Sequence, residues 1–380
     1  MRCPSCTMAV VALSVGSCAP PSGGGSAPPP HTRTYYIAAD EVDWNYAPGG
    51  DVNLVTGQPY DSVARMYVAS GPTTIGHIYR KAVYREYTDS TFTTLKSRDP
   101  AWQHLGVLGP LLRAVVGDTI RVVFRNNARF PASLHPHGVF YAKSSEGSPY
   151  ADSTSGADKA DDGVPTGGTH VYVWAVPPRA GPASGDGSSM LWMYHSHVND
   201  ERDMDAGLVG PIIVTTRSDA RTDGTPKDVD RELVVAFAEF DENQSWYLAD
   251  NIRAHVTTPA KVKIVKSPFG EDAQEPGAGG NFKETMNGYL YGHLPGLTMK
   301  VGERVRWYLM ATTGFEIHAP HWHGNTVVER GMRTDVSSLL PMGMVMADMV
   351  PDDPGIWLFH CHVGPHLIAG MQAFYRVLPR

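Results

Sequence analysis

Short apolar runs, rather than long amphipathic ones, make up the hydrophobic pattern of this chain. Runs rich in β-branched and aromatic residues, such as 35–39 and 115–124, are separated by turn residues, and no long stretch has helical periodicity. Thirty-nine glycines and thirty prolines interrupt the pattern at short intervals, as is typical of sandwiches and barrels. The sequence therefore predicts an all-β protein.

The pattern also contains an internal repeat. In each half of the chain a Val-Gly-Asp or Val-Gly-Glu strand, at Val116 or Val301, leads into a His-x-His motif, and a second such motif follows. The four motifs lie at 135–137, 195–197, 321–323 and 360–362. We therefore expect two related β-sandwich domains at 34–217 and 230–380, joined by a polar linker at 218–229.

Residues 1–33 have a different composition from the rest of the chain. Arg2 is the only charge among the first 18 residues, and a short apolar run leads to Cys18, which is the outline of an export signal. Because the run ends in Val-Gly-Ser-Cys, as bacterial lipoprotein signals do, we expect Cys18 to be lipidated. A plain cleaved signal is the alternative. Residues 19–33 then form a flexible tether, and the protein is exported to the periplasm or cell envelope as a membrane-anchored lipoprotein.

Composition narrows the class of protein. A content of 42% hydrophobic and 19% charged residues is typical of a soluble globular protein, and a net charge of -7 argues against a nucleic-acid partner. No apolar run after the N-terminus is long enough to span a bilayer. Removal of the signal would leave only Cys18 and Cys361 of the four cysteines, which excludes a disulfide framework.

The densest chemistry surrounds Cys361, which stands between His360 and His362. A cysteine, two imidazoles and a weak axial thioether form a blue-copper electron-transfer site. Because side chains alternate along a strand, Cys361 faces one side while the two flanking histidines face the other. His318 has the parity to lie on the cysteine side. The predicted ligands of this type 1 copper are therefore His318, Cys361, His366 and Met371.

The four His-x-His motifs supply eight imidazoles, which suit a cluster of three coppers with two ligands for one ion and three for each of the others. In the first domain the places that match the blue-copper ligands hold Ala132, Ser196, Leu208 and a residue near Glu201. We therefore expect the first domain to contribute only to the cluster. The alternative to a copper protein is that Cys361 is a buried structural cysteine and that the histidines near it occur by chance.

At these motifs the chain resembles the multicopper oxidases, and more closely the ceruloplasmin and hephaestin group. The resemblance runs from about residue 34 to 380 and includes Gly76–Tyr84, Trp102–Pro110 and Phe240–Leu248. The chain resembles the first and last domains of that six-domain group joined directly, which is the pattern of bacterial two-domain multicopper oxidases. The resemblance implies two cupredoxin-like Greek-key β-sandwiches, about four coppers per chain and a homotrimer with the clusters at its subunit interfaces.

The resemblance also implies a role for individual residues. In such enzymes a reductant gives single electrons to the type 1 copper, and the cluster reduces dioxygen to water. Tyr141 and Glu146 resemble the tyrosine and acidic residue that serve proton supply in small two-domain laccases, although a core tyrosine and a solvated glutamate are the alternative. The implied ligands are His135 and His321 for the type 2 copper, with His137, His195 and His362 for one type 3 copper and His197, His323 and His360 for the other.

The reductant is the least determined part of the prediction. Pro365 stands where the ceruloplasmin group has an acidic residue, and Glu284 lies near the place of an expected histidine, so a laccase-like activity on organic reductants is favoured. A metallo-oxidase that acts on Fe(II) or Cu(I) is the alternative. Met342, Met344 and Met346 share one face of a predicted strand, and Met349 follows them. Their thioethers could bind Cu(I), although packing in the core is the more ordinary role of such a run.

Two other classes and one other metal complete the expectations. A copper nitrite reductase or a non-enzymatic cupredoxin would leave most of the paired histidines without a use. Calcium is a further cofactor implied by the resemblance, since Asp158, Asp161 and Asp162 fall where ceruloplasmin relatives bind it, with a solvated acidic loop as the alternative.

Overall fold

The computed structural model describes residues 29–266, 272–312, 314 and 316–380. The predicted signal at 1–18, its Cys18 and most of the tether at 19–33 lie outside these residues, so those expectations stay predictions. The first strand begins at Thr32, two residues before the predicted start of the first domain. Within the described residues no helix has the length and apolar character needed to cross a bilayer.

Ten strands form the first half of the chain: β1 (Thr32–Asn45), β2 (Val52–Asn53), β3 (Gln58–Pro59), β4 (Ile78–Tyr87), β5 (Leu112–Val115), β6 (Thr119–Asn126), β7 (His135–Pro136), β8 (Thr169–Ala175), β9 (Ser189–His195) and β10 (Val209–Thr215). The second half contains β11 (Arg231–Asp241), β12 (Lys263–Lys266), β13 (Asp272–Glu275), β14 (Phe282–Met286), β15 (Thr298–Lys300), β16 (Val305–Ala311), β17 (Pro320–Trp322), β18 (Val327–Glu329), β19 (Met332–Thr334), β20 (Met344–Met349), β21 (Gly355–Cys361) and β22 (Gln372–Leu378).

Helices are short and lie between strands. The α-helices are α1 (Ala64–Val68), α2 (Asp200–Ala206), α3 (Leu248–His255) and α4 (Gly364–Ala369). Short 3-10 helices occur at Pro100–Leu105, Lys143–Ser145, Gly156–Lys159, Pro178–Ala180, Arg217–Asp219, Pro259–Lys261 and Ala278–Asn281. The predicted linker at 218–229 contains the end of one 3-10 helix and an isolated bridge between Ala220 and Pro226.

Two β-sandwiches with matching strand order form the protein, which confirms the predicted all-β class. The first sandwich pairs an outer sheet, β4-β1-β6-β8, with an inner sheet, β5-β10-β9-β7. The second pairs an inner sheet, β14-β11-β16-β20-β18-β19, with an outer sheet, β15-β22-β21-β17. Corresponding strands keep the same direction, because β1 is parallel to β6 as β11 is to β16, and β5 is parallel to β10 as β15 is to β22. The repeat seen in the sequence is thus a repeat of topology.

The inner sheets of the two sandwiches pack against each other. Leu191 and Met193 on β9 belong to one buried cluster with Tyr308 and Met310 on β16. The opposite face of the second inner sheet packs against β21, where Phe359 is part of a separate buried cluster. The four sheets are therefore stacked in the order outer, inner, inner, outer, and this order decides which faces the functional side chains occupy.

A buried ion pair joins the two sandwiches. Lys81 on β4 contacts Glu242, just after β11, at 2.5 Å, and both side chains are fully buried. The phenol of Tyr46 donates a second hydrogen bond to the same carboxylate, and the ammonium also donates to the carbonyl of Asp205. Buried charges are retained when they are paired and hydrogen-bonded in this way.

Candidate metal centres

The three strongest predicted ligands of the blue-copper site lie together at the end of β21. The Sγ atom of Cys361 is 3.5 Å from Nδ1 of His366 and 3.9 Å from Nδ1 of His318. Cys361 is the last residue of its strand, and the short helix α4 that follows brings His366 back beside it. All three side chains are buried. The nitrogens and the sulfur therefore face one small buried volume.

Met371, the fourth predicted ligand, lies between α4 and β22. Its side chain is fully buried in the same core cluster as Cys361, and its carbonyl accepts a hydrogen bond from the Cys361 amide at 3.1 Å. The amide of Ala319 donates to Sγ at 3.3 Å. Burial lowers the pKa of His318 to about 3, so this imidazole is neutral at physiological pH. One thiol, two neutral imidazoles and a thioether fit a blue copper.

The histidines of the first sandwich form a quartet of their own. Five of the six pairs of ring centroids in this first quartet are 5.0 to 5.6 Å apart, and Nε2 of His137 lies 3.1 Å from Nε2 of His195. Two imidazole nitrogens bound to one metal at about 2.0 Å each, in tetrahedral geometry, are about 3.3 Å apart. The first quartet consists of His135, His137, His195 and His197.

The histidines of the second sandwich form an equivalent quartet. Five of its six pairs of ring centroids are 4.8 to 5.4 Å apart, and Nε2 of His323 lies 3.1 Å from Nε2 of His360. The register is the same in both sandwiches, because His321 faces His360 across β17 and β21 as His135 faces His195 across β7 and β9. The second quartet consists of His321, His323, His360 and His362.

Several of these imidazoles are held in the neutral form that binds metals. Burial, with a smaller contribution from neighbouring imidazoles, lowers the pKa of His137 to about 3. Burial lowers the pKa of His135 to about 4 against the opposing hydrogen bond from its Nδ1 to the Glu146 carbonyl, at 2.7 Å. The pKa values of His321 and His360 are lowered for the same primary reason. The quartets thus offer free nitrogen lone pairs.

The two quartets lie on different sides of the second sandwich. His195 shares its strand face with Leu191 and Met193, which pack toward the second sandwich, so the first quartet is on that near side. Cys361 points into the core between the two sheets of the second sandwich, so His360 points out of the far, outer sheet. In the part of the chain that the structure describes, the close imidazole pairs lie within one quartet or within the blue-copper site.

Comparison with known proteins decides the family. Two profiles described as "Multicopper oxidase" match residues 89–219 and 257–380, which cover most of the first sandwich and of the second. The chain belongs to the multicopper oxidase family. This confirms the resemblance drawn from the His-x-His and His-Cys-His motifs.

Individual relatives agree with that assignment. This multicopper oxidase is 43% identical to "Hephaestin" of Rattus norvegicus over 91% of its own length and 29% of the relative's. It is 44% identical to "Ferroxidase HEPHL1" of Homo sapiens over 91% and 29%, and 38% identical to human "Ceruloplasmin" over 96% and 34%. The chain thus spans about a third of the length of the curated relatives it matches. A solved structure described as "Crystal structure of multicopper oxidase" shares the fold, with a TM-score of 0.55, 18% identity and 93% of each chain covered.

In this multicopper oxidase the first sandwich has a different use for the place of the blue copper. Ser196 stands where the second sandwich has Cys361, and its hydroxyl donates to the buried carboxylate of Asp203 at 2.6 Å. The other oxygen of Asp203 accepts a hydrogen bond at 2.8 Å from the indole of Trp246, which belongs to the second half of the chain. Ala132 and Leu208 are buried apolar residues. This place therefore connects the two sandwiches.

Tyr141 and Glu146 lie beside the first quartet in different ways. The ring of Tyr141 is 5.8 Å from the ring of His135. The Glu146 carbonyl holds His135, whereas the Glu146 carboxylate contacts Lys143 at 2.6 Å and the Tyr150 hydroxyl at 2.8 Å. The carboxylate of Glu146 therefore has partners of its own, while Tyr141 is more than a third exposed.

Asp200 contacts the first quartet directly and was not among the predicted site residues. One of its carboxylate oxygens lies 2.9 Å from Nδ1 of His195. Burial opposes ionisation, but the hydrogen bond with His195 and the nearby imidazoles hold the pKa of Asp200 below its usual range. Nothing in the sequence distinguishes Asp200 from the other acidic residues at the start of α2, except that it follows the second His-x-His motif by three positions.

Three carboxylates that are distant in sequence lie close to the blue-copper site. Glu239 on β11 and Glu284 on β14 are directly paired neighbours, and Glu316 lies 3.6 Å from Nε2 of His366. Burial and the charges of Glu239 and Glu316 raise the pKa of Glu284 to about 8. Burial and Glu316 raise the pKa of Glu239 to about 7. One carboxylate oxygen of Glu239 and one of Glu284 are buried without a hydrogen-bond partner.

The remaining predicted sites have partners within the protein. Lys159 contacts Asp152 at 2.9 Å and Asp162 at 3.0 Å, so an ammonium lies in the loop predicted to bind calcium. Asp161 is buried there with one unpartnered oxygen, and its calcium role stays a prediction, as does that of Asp158. The methionines at 342, 344 and 346 pack, partly buried, against the cluster between the sandwiches, whereas Met349 is buried on the opposite face.

Proposed function

We propose that this multicopper oxidase removes single electrons from a reductant at the blue-copper site and uses them to reduce dioxygen to water at a three-copper centre. The observation that carries the proposal is the arrangement of β21. Cys361 joins His318 and His366 on one face of the strand, and the adjacent His360 joins the second quartet on the other. A single peptide bond therefore separates the two metal-binding environments.

The ligand assignments are part of this proposal. When bound, the coppers supply the electron transfer and the oxygen chemistry, and the protein holds and orients them. The close pairs His137 with His195 and His323 with His360 support their assignment to two different type 3 ions. His362 is the third ligand of the type 3 ion held by His137 and His195, and His197 is the third ligand of the other. His135 and His321 then remain for the type 2 ion. The position of Tyr141 supports its role beside His135. The Glu146 carboxylate is paired with Lys143, so it would first have to accept a proton in place of that ammonium before passing one on.

Organic reductants are the first candidate substrates, in line with a laccase-like activity. Ile317 and Ile368 are 56% and 58% exposed, and they flank His318 and His366 in sequence. Exposed apolar side chains one and two positions from the proposed copper ligands suit outer-sphere contact with a phenol. No additional ligand is needed for such a substrate.

The test is steady-state oxygen uptake by the copper-loaded chain with Fe(II), Cu(I) and a phenolic dye. We expect uptake with at least one of the three, and its loss in His366→Ala, because that change removes a blue-copper ligand. Nitrite reduction without oxygen should be absent. Copper-loaded protein that consumes no oxygen with any of the three reductants would contradict the proposal.

Metal-ion oxidation is a second candidate, favoured by the carboxylates at the blue-copper site. Glu284 is more than nine-tenths buried and has an unpartnered oxygen, and Glu239 and Glu316 lie around it. Carboxylate oxygens bind hard divalent cations. The negative charges of three neighbouring carboxylates repel one another, and a bound cation relieves that repulsion. The relative named a ferroxidase supports the same reading by similarity.

Glu284→Gln separates the two candidates. If Fe(II) binds at these carboxylates, the variant should raise KM for Fe(II) about 10-fold or more, since losing a charged ligand costs about 1.5–3 kcal/mol. The rate with the phenolic dye should stay within about twofold and serves as the internal control. Equal effects on both reductants would point to damage at the copper instead.

The same site gives this activity a pH dependence. The pKa of Glu284 is raised to about 8, so this group is protonated and a poor ligand below that pH. KM for Fe(II), after subtraction of uncatalysed oxidation, should therefore fall as the pH rises through that range, and Glu284→Gln should remove the part of the fall near pH 8 and leave the part due to Glu239, whose pKa is raised to about 7.

We also propose that copies of this chain assemble so that the first quartet of one meets the second quartet of another, as the predicted homotrimer requires. Support comes from the opposite placement of the quartets, which leaves each chain without a complete cluster. A closed ring of such head-to-tail contacts would complete every cluster.

A further inference from the structure

His195 is the only member of the first quartet, among the described residues, whose ring contacts a carboxylate within 3 Å. Its Nδ1 lies 2.9 Å from Asp200 and 3.1 Å from the carbonyl of Ser196. Its Nε2 lies 3.1 Å from Nε2 of His137. A proton on Nδ1 is donated to the Ser196 carbonyl and lies within ion-pair distance of the Asp200 oxygen, which has no other partner, and it leaves the Nε2 lone pair free toward His137.

The internal repeat provides a comparison inside the same chain. His360 is the equivalent of His195, and its Nδ1 likewise faces the carbonyl of the next residue, Cys361, at 2.8 Å. Asp200 follows Ser196 by four positions, and the residue that follows Cys361 by four positions is Pro365. A proline has no carboxylate to offer. Among the contacts of the described residues, the carboxylate of Asp200 is thus the charged partner that distinguishes His195 from His360.

We propose that Asp200 is a positioning residue that acts with the Ser196 carbonyl to hold the ring and tautomer of His195, and that its charge makes His195 the stronger of the two equivalent copper ligands. This inference rests on the proposed function, since it takes His195 to be a ligand. A carboxylate bonded to the far nitrogen of a metal-binding histidine orients the ring and raises its basicity. The type 3 copper held by His137 and His195 is therefore retained more tightly than the one held by His323 and His360.

A simpler role for Asp200 is stabilisation of the helix. It is the first residue of α2, where an acidic side chain interacts favourably with the helix dipole. Glu201 is the next residue of the same turn and is exposed, without a contact to His195. Glu201→Gln therefore removes a charge from the same helix end and is a matched control for Asp200→Asn.

The experiment is competition for copper between the loaded full-length protein and a chelator, with the blue absorption of the Cys361 site as a check on folding. We expect Asp200→Asn and Asp200→Ala to lose one copper about 10 to 100 times more readily than wild type. Asp200→Glu should recover much of that retention, and Glu201→Gln should match wild type. Retention in Asp200→Ala equal to that of wild type, or equal losses in Asp200→Asn and Glu201→Gln, would overturn the inference.

A second measurement separates this inference from the proposed function. Nitrogen NMR of the copper-free chain reports which ring nitrogen of His195 carries the proton. We expect the proton on Nδ1 in wild type and a measurably larger fraction of it on Nε2 in Asp200→Ala, where the Ser196 carbonyl is left to hold the Nδ1 proton without Asp200. A mixture already present in wild type would overturn the positioning role even if all coppers bind, whereas wild-type protein that binds no cluster copper would overturn the proposed function.

Discussion

Mixing two inactive variants should restore oxygen consumption. One variant, His135→Ala/His137→Ala, lacks ligands in the first quartet, and the other, His321→Ala/His323→Ala, lacks them in the second. Each alone should be inactive in every assembly. If clusters form between chains, an equal mixture refolded or reassembled together should recover about one quarter of the wild-type activity, because one interface in four pairs two intact quartets.

The outcome distinguishes two architectures. If each cluster were completed within one chain, mixing would restore nothing at any ratio. Mixing either variant with itself is the control, and a mass measurement of the assembly shows whether chains have exchanged. Recovery without exchange would contradict the assignment of the quartets to shared centres.

Replacement of Cys361 by serine should remove the blue absorption and lower oxidase activity with every reductant by more than about 100-fold. Loss of a residue that only hydrogen-bonds to a metal ligand lowers activity by up to about 100-fold. Cys361 is itself a proposed ligand and is bonded directly to His360, so we expect a larger effect. The measurement is the visible spectrum together with oxygen uptake.

The copper content of the same variant is its control. Cys361→Ser should retain about three coppers per chain, because the eight imidazoles of the quartets are untouched. Oxygen uptake that persists at the wild-type rate in a colourless Cys361→Ser protein would show that electrons reach the cluster by another route.

The parts of this molecule that follow from short-range periodicity could be predicted from the sequence. Alternation along a strand puts Cys361 and His360 on opposite faces, and the structure places them in different clusters. The repeated motifs likewise predicted two sandwiches, and the strand orders of the two sandwiches agree. Such predictions succeed because the strand period is fixed by the backbone.

Other features depend on how distant segments meet, which spacing alone does not determine. Glu239 and Glu316 are separated by 77 positions in the chain, and only the pairing of β11 with its neighbours brings both near Glu284. Asp200 contacts His195 because α2 begins immediately after the motif and turns back over it. The near and far placement of the quartets likewise required the order of the four sheets.

Asp203 shows how one topology serves two purposes. The location that holds sulfur and imidazoles in the second sandwich is occupied in the first by a buried carboxylate that grips Ser196 and the indole of Trp246. Adding another redox centre there would require replacement of Asp203, which would remove the hydrogen bond that Trp246 donates to it. A second blue copper in the first sandwich would thus weaken the contact between the two sandwiches.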